Sequence, residues 1–574
     1  MRRTLIPLAT ALATVVAVGG SADAHGGHGG GNGGGHGNSR TIELSALGTH
    51  YSDIFEEGAA EIVAHDPRAQ RLYVVNAAAA KVQVLNIAKP SAPVLVNTLD
   101  PAAALGDPGA VANSVAVRRD GVVAVAVEAG VKTAPGHIVF YDRKGRLLKT
   151  LAVGALPDMA AFSDDGDTLL VANEGEPDDD FTVDPEGSVS IVDTGKSIEK
   201  LDARHVRTAD FRAWDRGQKR LDPTVRVYGP DVSARPDGAL TEPGRVARNL
   251  EPEYITLGGD GRTAYVTLQE ANAIAVLDIR SGRFTDIRPL GFKDHMQPGN
   301  EIDVSDQDGK VQLANWPVYG MYEPDAITTY QAKGRTFLVT ANEGDAREWG
   351  DYTEPERFRS LTGDTPLCAD SPRVQAFLAN NPLGITTVEQ LRANTAMGRL
   401  NVTQATGLSP DGTCYQDVYS LGGRSFTIWT TDGRKVFDSG SQFEKITAQA
   451  YPQNFNASNT SSAFDNRSDD KGPEPEAVEI GRIGDRTYAF IALERIGGVM
   501  VYDITNPYAP EHVQYINNRD FAADPKTRAA GDLGPESVHF VEGKDSPTGK
   551  PVLAVGNEIS GTTTLFAINT KRKN

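Results

Sequence analysis

Five stretches place a carboxylate directly in front of an apolar run: "LPDMAAF" (156–162), "EPEYITL" (251–257), "EPDAITT" (323–329), "GPEPEAVEI" (472–480) and "GPESVHF" (534–540). Carboxylates are rarely buried unless they are paired, hydrogen-bonded or bound to a metal. Carboxylates converging on one place supply hard oxygen ligands, which suit calcium or magnesium better than zinc. Because the pattern recurs, the elements carrying it must be repeated units.

Aligned on these stretches, the chain repeats an apolar strand, a turn often containing Asp-Gly or Gly-Arg, a second apolar strand, and a third ending in Asp or Asn. The units fall at 60–87, 112–142, 157–193, 252–279, 324–344 (resumed by 424–439), 475–504 and 535–568. Short strands at this spacing predict an all-β, seven-bladed β-propeller. "TIELSAL" (41–47) supplies the outer strand of the last blade, removing an open edge. Insertions at about 198–250, 291–323, 345–424 and 441–473 cap one face of the propeller domain 41–574, with helical patches expected near 372–380 and 387–397.

The start of each inner strand and the end of its antiparallel neighbour share one face of the disc. The starts carry Glu61, Asn113, Asp158, Glu253, Asp325, Glu476 and Glu536; the ends carry Asn76, Glu128, Glu174, Glu270, Glu343, Glu494 and Glu558. Twelve acids in fourteen equivalent places would repel strongly unless cations or bases compensate them. A divalent metal, most simply calcium, is therefore expected at the mouth, with Glu61, Asp158, Glu174, Glu253, Asp325, Glu343, Glu474, Glu476, Glu536 and Glu558 as candidate ligands. Taken singly, each is better explained as a solvated loop residue or a cap to neighbouring backbone N–H groups; the expectation rests on their number. The insertions bring Lys293, His295, Arg347, Arg467, Lys471 and Arg495 over the same face. Metals beneath Arg and Lys suit an anionic phosphoester, the cation polarising the ester. Arg347, Lys471, Arg467 and His295 are the catalytic candidates, although the same bases could simply neutralise neighbouring acids. "EIDVSDQDGKVQL" (301–313) is loosely like a calcium loop, with Asp303, Asp306 and Asp308 before Gly309, but Val304 breaks the EF-hand pattern. The acids of "EPDDDFTVDPEG" (176–187) read as a solvated loop.

Residues 1–24 read as an export signal cleaved after Ala24, with Arg2 and Arg3 before "LIPLATALATVVAV"; a general secretory signal is preferred to a twin-arginine one. "HGGHGGGNGGGHG" (25–37) lies in a flexible His/Gly tail, 25–40. The formal net charge of −19 disfavours nucleic acid and anionic membranes as partners, and no mature segment is long and apolar enough to span a bilayer. Cys368 and Cys414 are expected to pair, contributing roughly 3–4 kcal/mol. G-x-S-x-G, Walker, H-E-x-x-H and C-x-x-C patterns are absent from the sequence.

"GALPDMAAF", "VANEGEPDDDFTVDPEGSVSIVD", "LEPEYITL", "TAYVTLQEANAIAVLDI", "LGFKDH", "NWPVYGMYEPDAI", "LVTANEGDAR" and "RSDDKGPEPE" resemble the choice-of-anchor I family of exported bacterial propellers, from about residue 41 to the end. The family is named for varied C-terminal anchors. "NTKRKN" shows no such pattern, so free secretion is expected. Some relatives are labelled alkaline phosphatase or esterase-like phytase, which implies a metal-dependent phosphoesterase with Glu174, Glu343, Arg347, Lys471, Glu474 and Glu476 at the matching positions. A small phosphoester would then be the substrate. The rival expectation is a non-enzymatic extracellular binding or adhesion propeller stabilised by cations; a lactonase or dehydrogenase would need a pocket the sequence does not reveal.

Overall fold

The computed structural model describes residues 40–573 apart from 57, 180 and 230–244. The export signal, most of the His/Gly tail and Asp180 lie outside the described residues. Seven four-stranded sheets account for most of the described strands, and every neighbouring pair within them is antiparallel. Their inner strands are Val63–Asp66, Val111–Val117, Pro157–Phe162, Ile255–Leu257, Ile327–Ala332, Pro475–Ile483 and Pro535–Val541. Each contacts the next in this order, and the last returns to the first, so the sheets close into a β-propeller.

Packing follows the alternation of the strands. Each pair of adjacent sheets shares its own apolar cluster; one example joins Leu170, Val189 and Ile191 of the third sheet to Val266, Leu268 and Ala275 of the fourth. Small and β-branched residues dominate because two twisted sheets must approach face to face. Arg40–Tyr51 pairs along Thr562–Arg572 as the outer strand of the seventh sheet. Gln514, on the sixth sheet, clasps this strand: its Oε1 accepts from Leu44 N at 2.8 Å and its Nε2 donates to Leu44 O at 3.2 Å.

Some boundaries differ from the sequence expectation. Val206–Asp210 is the outer strand of the third sheet, not part of an insertion. The expected helical patches hold Pro372–Ala379 and Val388–Leu391, and a further helix, Gln442–Ala450, precedes the sixth sheet. The insertions build a cap with its own core, in which Ile302, Val304, Trp316, Phe358, Phe377 and Met397 pack together. The Cys368–Cys414 disulfide closes part of this cap.

Leu44 is 1% exposed whereas Val96, on the outer strand of the first sheet, is 47% exposed. In urea unfolding, Leu44→Ala should lose about 2–5 kcal/mol, and Val96→Ala should stay within about 0.5 kcal/mol of the parent.

Candidate metal centre

Three strands enter the mouth through the same local pattern, Glu-Pro followed by Glu or Asp, and its two acids have different fates. In the sixth sheet Glu474 takes a left-handed backbone (φ 50°) immediately before Pro475. That conformation, costly for a side-chain-bearing residue, points Glu474 into the cap. There its Oε1 accepts from Arg467 at 2.6 and 3.0 Å, and its Oε2 accepts from Arg495 at 2.9 Å and lies 3.1 Å from Lys471. Burial alone would raise its carboxyl, but Lys471, Arg467 and Arg495 together hold it well below the usual range. In the fifth sheet Glu323 (φ 41°) accepts from Arg226 at 2.6 Å and from Gly422 N at 3.1 Å. In the fourth, Glu251 accepts from Arg347 at 2.5 Å.

The second acids, Glu253, Asp325 and Glu476, face the channel. A β-bulge falls at Glu476, and others at Asp158 and Glu536; bulges re-aim a side chain while preserving the rest of a strand. Burial first, and then mutual repulsion, raises Asp158 to about 7, Glu61 to about 8, and Glu174, Glu253, Asp325, Glu476 and Glu536 well above the carboxylate range. Glu558 is raised also. These carboxyls sense one another around the whole mouth: Glu536 is perturbed by Glu558, Glu494, Asp325 and Glu61.

Within this ring, Glu343, Glu476 and Glu494 are all buried and present oxygens within 4.8 Å of one another, the tightest metal-competent carboxylate group among the described residues. Two amides and two bases orient it. Glu343 accepts from Lys471 at 2.6 Å and from Gln269 at 2.8 Å. Glu494 accepts from Asn459 at 2.9 Å and pairs with Arg495 at 2.9 Å. Burial and then Glu343, Glu536, Asp325 and Glu494 raise the Glu476 carboxyl. Glu253 Oε2 and Glu270 Oε2 are buried without a hydrogen-bond partner. An all-carboxylate donor set of this kind fits a calcium-like cation better than zinc.

An open cavity of about 380 Å³ lies beside this group, lined by Lys471, Arg467, Arg495, Arg357, Asp345 and Asp470 among others. Lys471 and Arg495 therefore touch both the carboxylates and the cavity. Three sequence expectations need correction. Arg347 is 1% exposed, with its guanidinium consumed by Glu251, Asn249 and Tyr228 O, so it cannot hold a substrate. His295 is fully buried, its Nδ1–H donating to Asn300 O at 2.7 Å, and burial and Lys293 lower its pKa to about 3. Glu474 is likewise an anchor for bases, with no oxygen left for a metal. Glu494 and Arg495 stood at strand-end positions visible in the sequence; Gln269 precedes the strand-end Glu270, and Asn459 sits in a polar insertion with no distinguishing pattern.

A sequence model described as the choice-of-anchor I domain matches residues 61–507. The chain is 29% identical over 193 residues to Gigasin-3a of Magallana gigas, covering 32% of this chain and 68% of that protein. It is also 29% identical over 297 residues to the mesenchyme-specific cell surface glycoprotein of Strongylocentrotus purpuratus, covering 46% of this chain and 37% of that protein. Among solved structures, Kuenenia stuttgartiensis hydrazine synthase aligns at a TM-score of 0.41 and 12% identity, over 90% of this chain and 96% of its own. The Myceliophteria thermophila Cps50 (Swd1) β-propeller domain aligns at 0.42 and 6%, over 92% and 100%.

Glu474→Gln should destabilise the protein by about 3–5 kcal/mol with or without calcium, because it strands buried bases. Glu476→Gln should instead stabilise the metal-free protein and reduce the rise in Tm on calcium addition. The ring acids bind protons more tightly folded than unfolded, so they lower metal-free stability as pH rises from about 4.5 toward about 8. Protons compete with the cation, so the calcium-induced rise in Tm should be larger at about pH 8 than at about pH 5; differential scanning fluorimetry with calcium and with chelator measures it.

Proposed function

The chain belongs to the choice-of-anchor I domain family, and from that premise we propose that it is an exported, metal-dependent phosphoesterase working at the acidic mouth of its propeller. The observation that carries this reading is the contact of Lys471 and Arg495 with both the Glu343–Glu476–Glu494 group and an open polar cavity. Export accords with the disulfide and with the expected signal. No helix among the described residues is long and apolar enough to cross a membrane.

Glu343, Glu476 and Glu494 would hold the divalent cation, which when bound supplies Lewis acidity toward a phosphoryl oxygen. Gln269 and Asn459 keep two of these carboxylates from rotating away. Arg495 and Arg467, about a quarter and a fifth exposed, are the bases with donors to spare for phosphate oxygens. Lys471 is more buried and stays protonated between Glu343 and Glu474, so it contributes fixed charge. The polar cavity lined by Lys471, Arg467, Arg495 and Arg357 suits small, anionic esters.

A second reading is a cation-stiffened binding propeller of the cell exterior. It is favoured by the ion pairs that already engage each of these three bases with carboxylates, and it accords with the cell-surface designation of the sea-urchin relative.

Hydrolysis of para-nitrophenyl phosphate and of its bis-ester decides between the two. After chelation, calcium should restore turnover in the parent but not in Glu476→Gln. Arg495→Gln should raise KM roughly tenfold, the loss of one charge-assisted hydrogen bond of about 1.5–3 kcal/mol. No turnover of either ester, with calcium still raising Tm, would replace the enzyme reading by the binding one.

A further inference from the structure

Outside the mouth, a second set of oxygen donors lies where the insertion at 291–323 meets the segment leading into the sixth sheet. The turn 302–314 is closed by the bridge Ile302–Ala314. It presents Asp303, 1% exposed, whose oxygens accept from Gln312 N at 2.5 Å and Ser305 N at 3.3 Å, and Asp308 at its tip. From the facing segment come Asp465 and Asn456, both 0% exposed.

These groups are incompletely satisfied. Asp465 Oδ1 accepts from the Ser468 hydroxyl at 2.5 Å, while Asp465 Oδ2 is buried without a partner. Asn456 Nδ2 donates to Glu444 at 2.9 Å and to Ser468 Oγ at 2.8 Å, which fixes the amide and leaves Asn456 Oδ1 buried and partnerless. Asp308 Oδ2 is a third such atom. An acidic cluster that needed only solvation would keep its oxygens at the surface; a buried carboxylate and a buried amide oxygen, both unmet, call for a ligand that accepts lone pairs. Burial first, then Asp303 and other nearby acids, lifts the Asp465 carboxyl to about 8. Arg424 does not supply the missing charge, because it is bonded to Glu444 and to the carbonyls of Asp303, Ser468 and Asp470.

We propose that Asp465, Asn456 and the Asp303–Asp308 turn form a second divalent-cation site, calcium by its all-oxygen donor set, that fastens the cap independently of the channel mouth. The three aspartates are not preassembled as a tight carboxylate triad. The amide oxygen therefore belongs to the donor set, and binding draws in the turn tip, where Gly309 and Lys310 are exposed. The effect passes to the cavity through a short path: Arg467 lies two residues beyond Asp465, and its N–H donates to Asn456 O at 2.8 Å. A bound cation thus fixes the segment that presents Arg467 and Lys471. The proposal does not depend on the phosphoesterase reading.

Trp316 makes the site observable, because its indole N–H donates to Ile302 O at 3.2 Å, beside Asp303. Terbium is titrated into the chelator-treated full-length protein, with emission excited through tryptophan, and calcium is then used to displace it. The parent and Glu476→Gln should show saturable, calcium-displaceable emission. Asp465→Asn and Asp308→Asn should each need at least roughly tenfold more terbium, since each removes a ligand charge. Trp316→Phe should lose the emission while calorimetry still detects calcium binding. Asp308 lies on a partly exposed turn, so its variant keeps the test open if Asp465→Asn fails to fold, as checked by circular dichroism. Unchanged emission in Asp308→Asn, or loss of emission in Glu476→Gln, would overturn the proposal.

Discussion

The dominant constraint in this molecule is electrostatic: a ring of carboxylates, each partly or fully buried, is crowded into one channel mouth. Coulomb repulsion at such separations is worth kilocalories per pair at reduced dielectric, so the negative charge has to be answered. The structure does so in two visible ways. Some acids, such as Asp158 and Glu61, have elevated affinity for protons; others, such as Glu474, are surrounded by bases. The Glu-Pro-acid motif divides these tasks between its own two carboxylates. The left-handed turn before proline in the fifth and sixth sheets sends the first acid to a base of the cap, and in the sixth sheet a β-bulge re-aims the second.

This division makes the cap part of the propeller rather than an ornament on it. Glu251, Glu323 and Glu474 are anchored by Arg347, Arg226 and Arg467, all supplied by insertions. Without the cap these acids would be stranded, and without them the guanidinium groups would be. The glycines at 344 and 422 serve the same joint: a Cβ on Gly344 would sit 2.3 Å from Gly422 Cα, so only bare backbone lets the end of the fifth sheet's second strand and the returning cap segment touch.

Much of the architecture was legible in the sequence because it rests on periodicity. Strand–turn–strand units, the strand at 41–47 and the convergence of strand-end acids all follow from counting residues. The fate of an individual charge does not. Glu474 and Glu476 are two residues apart and chemically identical, yet the sign of one backbone angle makes one an anchor and the other a candidate ligand. Arg347 and His295 resemble mouth-facing bases in sequence, but a base over a face can turn toward substrate or toward a buried acid, and only packing decides. The outer strand Val206–Asp210 is short and largely polar, and the helix Gln442–Ala450 mixes Thr, Gln and Ala, so neither stands out from its surrounding insertion.

Pairing of Arg40–Tyr51 with Thr562–Arg572 joins residues more than five hundred positions apart. A growing or partly exported chain cannot make that pairing until its final strand has emerged, so the sixth and seventh sheets stay without their lateral clasp until then. Closing so large a loop carries an entropic cost, and contacts of such separation form slowly. A chain cut short before Thr562–Arg572 therefore leaves the seventh sheet incomplete and Arg40–Tyr51 without the strand it pairs along, while the first sheet keeps all four of its strands.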